Sequence, residues 1–434
     1  MYEQIEPIYY FIVLLSMFFA FYRLGVTKYS VLIILVFWSG LFGFLGSGVF
    51  NIYQVVVFLY AFYLFLEKVF KKYHKIEVWV NAIFILFSIS FWYSYAIHGG
   101  EILTILSQYF FKYGIPFLFF HGFKDVLFNI KKRERIKYLL LQVLFIQIFL
   151  SLAKLALFGF NVERNVGSIE YGSGAFAVVL PMACLFFYWV IKNNKLKDKD
   201  WIIIASFFII AIASGKRAPV LMFPIFAFLL YYYAGGKFNI KSVLKFAPLL
   251  FLIFYLGIRL TPTLNPEREV WGTFDVGHVV EYSLNYNFGV RSFREIGLDS
   301  DLRGRGGGLF LVLQPERLGF SNTKELLFGH GLYEVAVREG GRFTGAGDYL
   351  LQHQGLVGEL IRLFYSLGLF GLLSITLMGF IFLKTMKDIK LRRLLILYFI
   401  WDLFMYYNHF MFGNTSALIV IFTIFYRNST HFKN

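Results

Sequence analysis

The chain has 434 residues, of which 58% are hydrophobic, 21% are aromatic and 16% are charged. A water-soluble domain cannot bury that large an apolar fraction, so the composition excludes a soluble globular protein. The formal net charge is +16, but the basic residues stand in short clusters between apolar segments, which is typical of membrane topology signals and not of nucleic-acid binding. The single cysteine, Cys184, excludes an intrachain disulfide.

Apolar segments follow one another along the chain, most of them close to the length that crosses a bilayer. A hydrocarbon core of about 30 Å needs about 20 apolar residues in a helix, and lipid requires each segment to satisfy its own backbone amides. The predicted spans are residues 8–26, 29–47, 51–70, 77–97, 104–122, 136–158, 173–191, 201–214, 217–234, 242–260, 355–383, 394–410 and 413–426. Either the first pair or the last pair is alternatively a re-entrant unit, so the sequence predicts an all-α polytopic integral membrane helix bundle of about 12–13 transmembrane helices. The first ten residues contain no basic leader, so no cleavable signal peptide is expected.

Lysine-rich clusters mark every second loop. They lie at residues 68–75, 124–137, 192–199, 237–245 and 384–393. The positive-inside rule places all of them in the cytoplasm and the intervening loops outside. Residues 1–260 are then a membrane helix bundle of about ten spans. Residues 261–354 form one large periplasmic loop with short helices, and residues 355–434 hold the last two or three spans and a cytoplasmic C-terminus.

The outer loop differs from the cytoplasmic clusters because its basic residues are arginines, with Lys324 as the exception. Arginine outside the cytoplasm works against the topology signal, whereas its planar guanidinium binds phosphate through two parallel hydrogen bonds. We therefore predict an anionic ligand, such as a lipid-linked pyrophosphate, at the outer membrane surface. The alternative for any one arginine is an ion pair with an acid of the same loop. The candidate binding residues are Arg164, Arg217, Arg291, Arg294, Arg303, Arg305 and Arg362.

Two residues near the end of the loop are candidates for a general base. His353 stands at the junction of the loop with the next span, and Glu359 lies in the first turns of that span. A base that deprotonates a sugar hydroxyl is commonly a histidine or a carboxylate. The alternative is an ordinary hydrogen-bonding role for both. The sequence has neither an HExxH motif nor clustered cysteines and histidines, so no zinc site is expected.

Short motifs in the second half of the chain carry a resemblance to a known family. They are Ser214-Gly215-Lys216-Arg217 before an apolar span, Leu326 to Leu332 reading LLFGHGL, and Gly358 to Gly371 reading GELIRLFYSLGLFG. Over about residues 160–375 the chain resembles the bacterial O-antigen polymerase (Wzy) and O-antigen ligase superfamily. Arg164 and the arginines before GGGLF, Arg303 and Arg305, also have parallels there. The ligases usually carry a histidine where this chain has Val357, and this departure favours a polymerase.

The resemblance implies a GT-C-like bundle in the bacterial inner membrane and a metal-independent, inverting glycosyltransferase without a cofactor. Its substrates would be undecaprenyl-pyrophosphate-linked oligosaccharides, joined at the periplasmic face for O-antigen or capsule synthesis. Membrane lipids, a chain-length regulator and a flippase would be its partners, and nucleic acid would not. The arginines would stabilise the departing pyrophosphate. Two alternatives stay open, an O-antigen ligase that transfers glycan to lipid A core and a flippase or transporter of lipid-linked oligosaccharide.

Overall fold

The computed structural model describes residues 2–24, 27–45, 47–69, 75–98, 102–107, 109–110, 114–122, 129–159, 167–168, 181–182, 184–189, 192, 196, 198–213, 217–233, 248, 251–252, 254–288, 312–331, 338–339, 342–343, 359–384 and 389–405. These residues form helices and turns, apart from a hairpin of two-residue strands, β1 (Arg338–Glu339) and β2 (Arg342–Phe343). The helices are α1 (Tyr2–Leu24), α2 (Lys28–Phe37), α3 (Ser39–Phe44), α4 (Ser47–Val69), α5 (Lys75–His98), α6 (Ile102–Ser107), α7 (Ile115–Gly122), α8 (Ile130–Phe158), α9 (Asp198–Ala213), α10 (Arg217–Tyr233), α11 (Val276–Phe288), α12 (Thr323–Phe328), α13 (Glu359–Lys384) and α14 (Ile389–Met405). Two 3-10 turns, Pro262–Leu264 and Pro315–Leu318, lie in the predicted loop.

The length of the helices and their exposed apolar side chains show that the protein is a membrane protein. Among the described residues, Val78–Ile97, Glu134–Phe158 and Leu363–Phe380 are long and apolar enough to cross a bilayer. Shorter apolar helices cover Ile52–Glu67, Asp200–Ile212 and Val220–Tyr233. Large apolar side chains on these helices and on α1 also point away from the protein. They include Phe11, Phe18, Ile52, Ile85, Phe149, Ile202, Leu373 and Phe380, each more than half exposed. Water would make such a surface aggregate, whereas lipid solvates it.

The predicted span 29–47 is broken where the sequence alone suggested one continuous helix. These residues contain α2 and α3. The break lies at Trp38, which ends α2 by donating its backbone N–H to the Ile34 carbonyl at 2.9 Å. The indole of Trp38 donates to the Val13 carbonyl in α1 at 3.2 Å. These long-range bonds stabilise a turn that apolar periodicity cannot reveal.

Contacts between helix ends show that the chain runs back and forth across the bundle. At one side the Lys28 ammonium, at the start of α2, binds the Glu67 carboxylate, near the end of α4, at 2.5 Å. Lys390 at the start of α14 likewise donates to the Tyr233 carbonyl, which ends α10, at 3.0 Å. These two contacts place the start of α2 beside the end of α4 and the start of α14 beside the end of α10.

The helix α13 is interrupted at Gly368, whose φ of 62° lies in the left-handed region. A break in a helix leaves carbonyls without their usual partners, and lipid cannot supply hydrogen bonds. Here the partners come from outside α13. Ser90 and Ser94 of α5 donate their hydroxyls to the carbonyls of Leu367 and Ser366, at 3.1 and 3.2 Å. The side of α5 that carries these two serines is therefore packed against the break.

A second segment supplies further hydrogen-bond donors to the carbonyls at the break in α13. The backbone N–H of His330 donates to the Tyr365 carbonyl at 2.7 Å, and that of Gly331 donates to the Ser366 carbonyl at 3.1 Å. Gly329 has a φ of 78°, and a Cβ there would lie 2.4 Å from the Ser366 carbonyl carbon. A Cβ on Gly368 would lie 2.4 Å from the carbonyl carbon of Leu327. The two glycines thus allow two backbones to cross in direct contact.

Candidate functional site

Arg217 is the first residue of α10, and its side chain contacts α11. Its guanidinium carbon lies 4.2 Å from the ring centroid of Tyr282 and 4.2 Å from that of Tyr286, both in α11. A guanidinium over an aromatic face is attracted by the ring quadrupole, by about 0.5–2 kcal/mol depending on solvent exposure. The side chain is half-buried. Arg217 therefore joins the mouth of a membrane helix to the loop that follows the next predicted span.

The two tyrosines belong to a row of rings along one face of α11. His278, Tyr282 and Tyr286 are four residues apart, a spacing that places side chains above one another on a helix. The ring centroids of His278 and Tyr282 are 6.0 Å apart, and those of Tyr282 and Tyr286 are 6.2 Å apart with nearly parallel planes. We call these three rings the aromatic row. All three side chains are half-buried, whereas Val279 and Leu284 form the buried side of the helix.

The helix α11 is held in place by a tightly bonded turn, residues 261–275. Asn265 is fully buried, and its amide nitrogen is shared among nearby carbonyls, the closest being that of Glu269 at 2.8 Å. Its amide oxygen accepts from the Glu269 backbone N–H at 3.1 Å. A Cβ on Gly272 would meet the Asn265 side chain at 2.2 Å, so the close approach requires glycine. This turn fixes the start of α11 relative to the helical residues 254–260 that precede the turn.

Arg259, just before that turn, is an arginine whose hydrogen bonds are structural. Its Nε donates to the Gly272 carbonyl at 2.9 Å, and its two terminal nitrogens donate to the Trp271 carbonyl and the Tyr255 hydroxyl at 3.0 and 2.8 Å. The loop itself thus uses this guanidinium. Arg217 differs, because among the described residues no carbonyl, hydroxyl or carboxylate accepts a hydrogen bond from it.

Carboxylates lie at the other end of the aromatic row. Asp275 precedes α11 and accepts the backbone N–H of His278 on its side chain at 3.0 Å. Glu267 accepts both the hydroxyl and the backbone N–H of Thr273. These bonds, with a smaller contribution from nearby His278, hold the pKa of the Glu267 carboxyl below its ordinary value of 4.5. The row therefore runs from carboxylates at its N-terminal end to a guanidinium at its C-terminal half.

The LLFGHGL and GLFG segments of the sequence meet at the crossing of Gly329 and Gly368. The ring of His330 packs between Phe320, with centroids 4.6 Å apart, and Tyr365, with centroids 4.5 Å apart. Phe328 packs against Tyr93 of α5, with centroids 4.0 Å apart. His330 and its neighbours therefore support the N-terminal part of α13. That part carries Glu359 and Arg362 in its first two turns.

The predicted site residues are described by the structure to different extents. It describes the side chain of Arg217, whereas for Glu359 and Arg362 only the helical backbone is described. The other predicted site residues, Arg164, Arg291, Arg294, Arg303, Arg305 and His353, lie outside the described residues. Tyr282 and Tyr286 were not predicted from the sequence, although the spacing His-x3-Tyr-x3-Tyr is a visible signal. Within the described part of the chain, no cluster of three metal-ligating side chains is present.

No protein-family model, curated protein or solved structure matches this chain. The assignment of a function therefore rests on the geometry around Arg217 and on the sequence motifs.

Proposed function

We propose that the protein is a polysaccharide polymerase that joins undecaprenyl-pyrophosphate-linked oligosaccharide repeat units at the periplasmic face of a bacterial inner membrane. The observation that carries the proposal is the guanidinium of Arg217. It lies against the rings of two tyrosines, and no described residue accepts its N–H donors. A planar cation positioned this way is suited to a diphosphate, which accepts two parallel hydrogen bonds.

The place of Arg217 in α10 strengthens the preference for an anion. Arg217 is the first residue of a helix of 17 residues, and a helix N-terminus carries a partial positive charge and unpaired backbone N–H groups. The half-buried environment lowers the local dielectric, so charge interactions there are stronger than in bulk water. The positive-inside rule places this end of α10 outside the cytoplasm, where repeat units are polymerised in the family that the sequence resembles.

The proposed step is an inverting transfer. A hydroxyl of the acceptor sugar attacks the anomeric carbon of the donor glycan, and the bond from that carbon to the diphosphate oxygen breaks. Undecaprenyl pyrophosphate leaves with the electron pair, while the hydroxyl proton passes to a base, for which His353 and Glu359 are the candidates. Arg217 stabilises the negative charge that develops on the leaving diphosphate. The step needs no divalent metal in this scheme, so chain growth should continue in EDTA.

The break in α13 does not favour the alternative of a transporter. Transporters with discontinuous helices use carbonyls at the break to coordinate an ion or a substrate. At Gly368 the carbonyls of Tyr365, Ser366 and Leu367 already accept bonds from the segment after α12 and from the serines of α5. This arrangement is typical of a structural joint.

Purified protein in vesicles with lipid-linked repeat units tests the proposal. We expect a ladder of longer glycans with the wild type and none with Arg217→Ala, at equal protein levels. Arg217→Lys should give little more chain growth than Arg217→Ala, because an ammonium lacks the planar pair of donors. The matched control is Arg268→Ala. It removes an exposed arginine from the turn before α11 and should leave the ladder intact.

Three results would contradict the proposal. Normal ladders from Arg217→Ala would remove the role assigned to that residue. Transfer of glycan only to a lipid A core would identify a ligase. Movement of the substrate across the vesicle membrane without new glycosidic bonds would identify a transporter.

A further inference from the structure

The aromatic row is an unusual surface for the outer loop. It presents three rings over eight residues of α11, about 12 Å at a rise of 1.5 Å per residue. The buried side of α11 is made by Val279 and Leu284, so the three rings are not the core of the helix. An aligned, half-exposed row of rings therefore has a reason other than packing.

The rings of the row combine an apolar face with polar edges. A tyrosine has a negative ring face and a hydroxyl, and a histidine has two ring nitrogens. A pyranose sugar has the complementary character, because its axial C–H groups form a weakly positive apolar face and its hydroxyls point outwards. Arg217 already contacts the rings of Tyr282 and Tyr286, so the ring of the row against which a sugar can stack is that of His278.

The two ends of the row have opposite charge. Arg217 lies at Tyr282 and Tyr286, whereas Asp275 and Glu267 lie near His278. A guanidinium binds phosphate oxygens, and carboxylates accept hydrogen bonds from hydroxyl groups. A ligand that lies along the row therefore needs an anionic group at one end and a neutral polyhydroxyl part at the other.

We infer that the His278 end of the aromatic row is a sugar-binding platform, so that the site takes a glycosyl diphosphate with its diphosphate at Arg217 and its first sugar ring stacked against His278. The inference rests on the proposed function, because it assumes the diphosphate at Arg217. It adds that the protein recognises the glycan itself as well as the lipid diphosphate.

Lipid binding measured by native mass spectrometry on the purified full-length protein tests this platform. One probe is undecaprenyl pyrophosphate without sugar, and the other is undecaprenyl pyrophosphate carrying the repeat-unit oligosaccharide of the host cell. We expect His278→Ala to weaken binding of the glycosylated lipid about fivefold and to leave binding of the bare lipid unchanged. His278→Phe, which retains a ring face, should recover most of that loss. The matched control is Val276→Ala, an exposed position on the opposite side of α11.

The two variants distinguish a failure of this inference from a failure of the proposed function. Equal effects of His278→Ala on both lipids, or no effect on either, would refute the platform. If Arg217→Ala binds both lipids as the wild type does, the diphosphate assignment fails. A selective loss in His278→Ala would then still support a sugar site.

Discussion

The contact of Gly329 with α13 makes a quantitative prediction, because the chain contains a second glycine that separates two effects. Gly159 has a φ of 67° and a ψ of −165°, and a Cβ at that position would meet no atom within 4 Å. Gly329 has a similar backbone conformation, with a φ of 78° and a ψ of −174°, but its Cβ would lie 2.4 Å from the Ser366 carbonyl carbon. Both alanine variants carry the strain of a backbone conformation that is almost restricted to glycine, about 1–3 kcal/mol. Only Gly329→Ala also forces two backbones apart.

The additional cost follows from the bonds at the crossing. Separation of the backbones by about 1 Å would break the bonds from His330 and Gly331 to the carbonyls of α13, at about 1 kcal/mol each. We expect Gly329→Ala to lose about 3–5 kcal/mol and Gly159→Ala about 1–3 kcal/mol. Thermal unfolding in detergent, followed by tryptophan fluorescence, should show a further drop in apparent Tm of about 4 °C for Gly329→Ala. Equal Tm values for the two variants would refute the contact.

Further outcomes can be measured with the same purified protein. Ser94→Ala should cost about 1 kcal/mol by leaving the Ser366 carbonyl with one donor fewer, read as a lower Tm than that of the wild type. Asn265→Asp should expose the loop to limited proteolysis, because a carboxylate cannot donate to the carbonyls around it; unchanged cleavage would contradict this. The pKa of Glu267 is lowered in the folded state, so its contribution to stability is present above pH 4.5 and is lost as the pH falls through the folded pKa. Glu267→Gln should therefore reduce the loss of Tm on acidification.

Tyrosine variants test how Arg217 is positioned. Tyr282→Phe keeps the ring face and should leave the affinity for inorganic pyrophosphate unchanged, whereas Tyr282→Leu should lower it about fivefold. Isothermal titration calorimetry measures both. A similar loss in Tyr282→Phe would mean that the hydroxyl, and not the ring face, holds the guanidinium.

The helical segments could be predicted from the sequence to within a few residues in many cases. The span expected at 77–97 lies within α5, and the span expected at 217–234 matches α10, because continuous apolar composition defines both. Breaks inside spans could not be predicted. The turn at Trp38 depends on bonds to Val13 in α1, and the break at Gly368 depends on donors from α5 and from the segment after α12. Such long-range partners leave no local pattern in the sequence.

The candidate site was predicted in part, for a similar reason. Arginine outside the cytoplasm indicated Arg217 from sequence, because that residue type is unexpected there. The same argument could not separate it from Arg259, whose donors are used by the loop turn. The partners of Arg217 lie more than sixty residues along the chain, so only the folded structure brings the guanidinium to Tyr282 and Tyr286.

The joint at Gly368 has a consequence for the N-terminal end of α13. Residues 365–367, just before the joint, are bonded on one side to the segment after α12 and on the other side to two serines of α5. The first turns of α13, which carry Glu359 and Arg362, are therefore positioned jointly by two elements that lie far apart in the sequence.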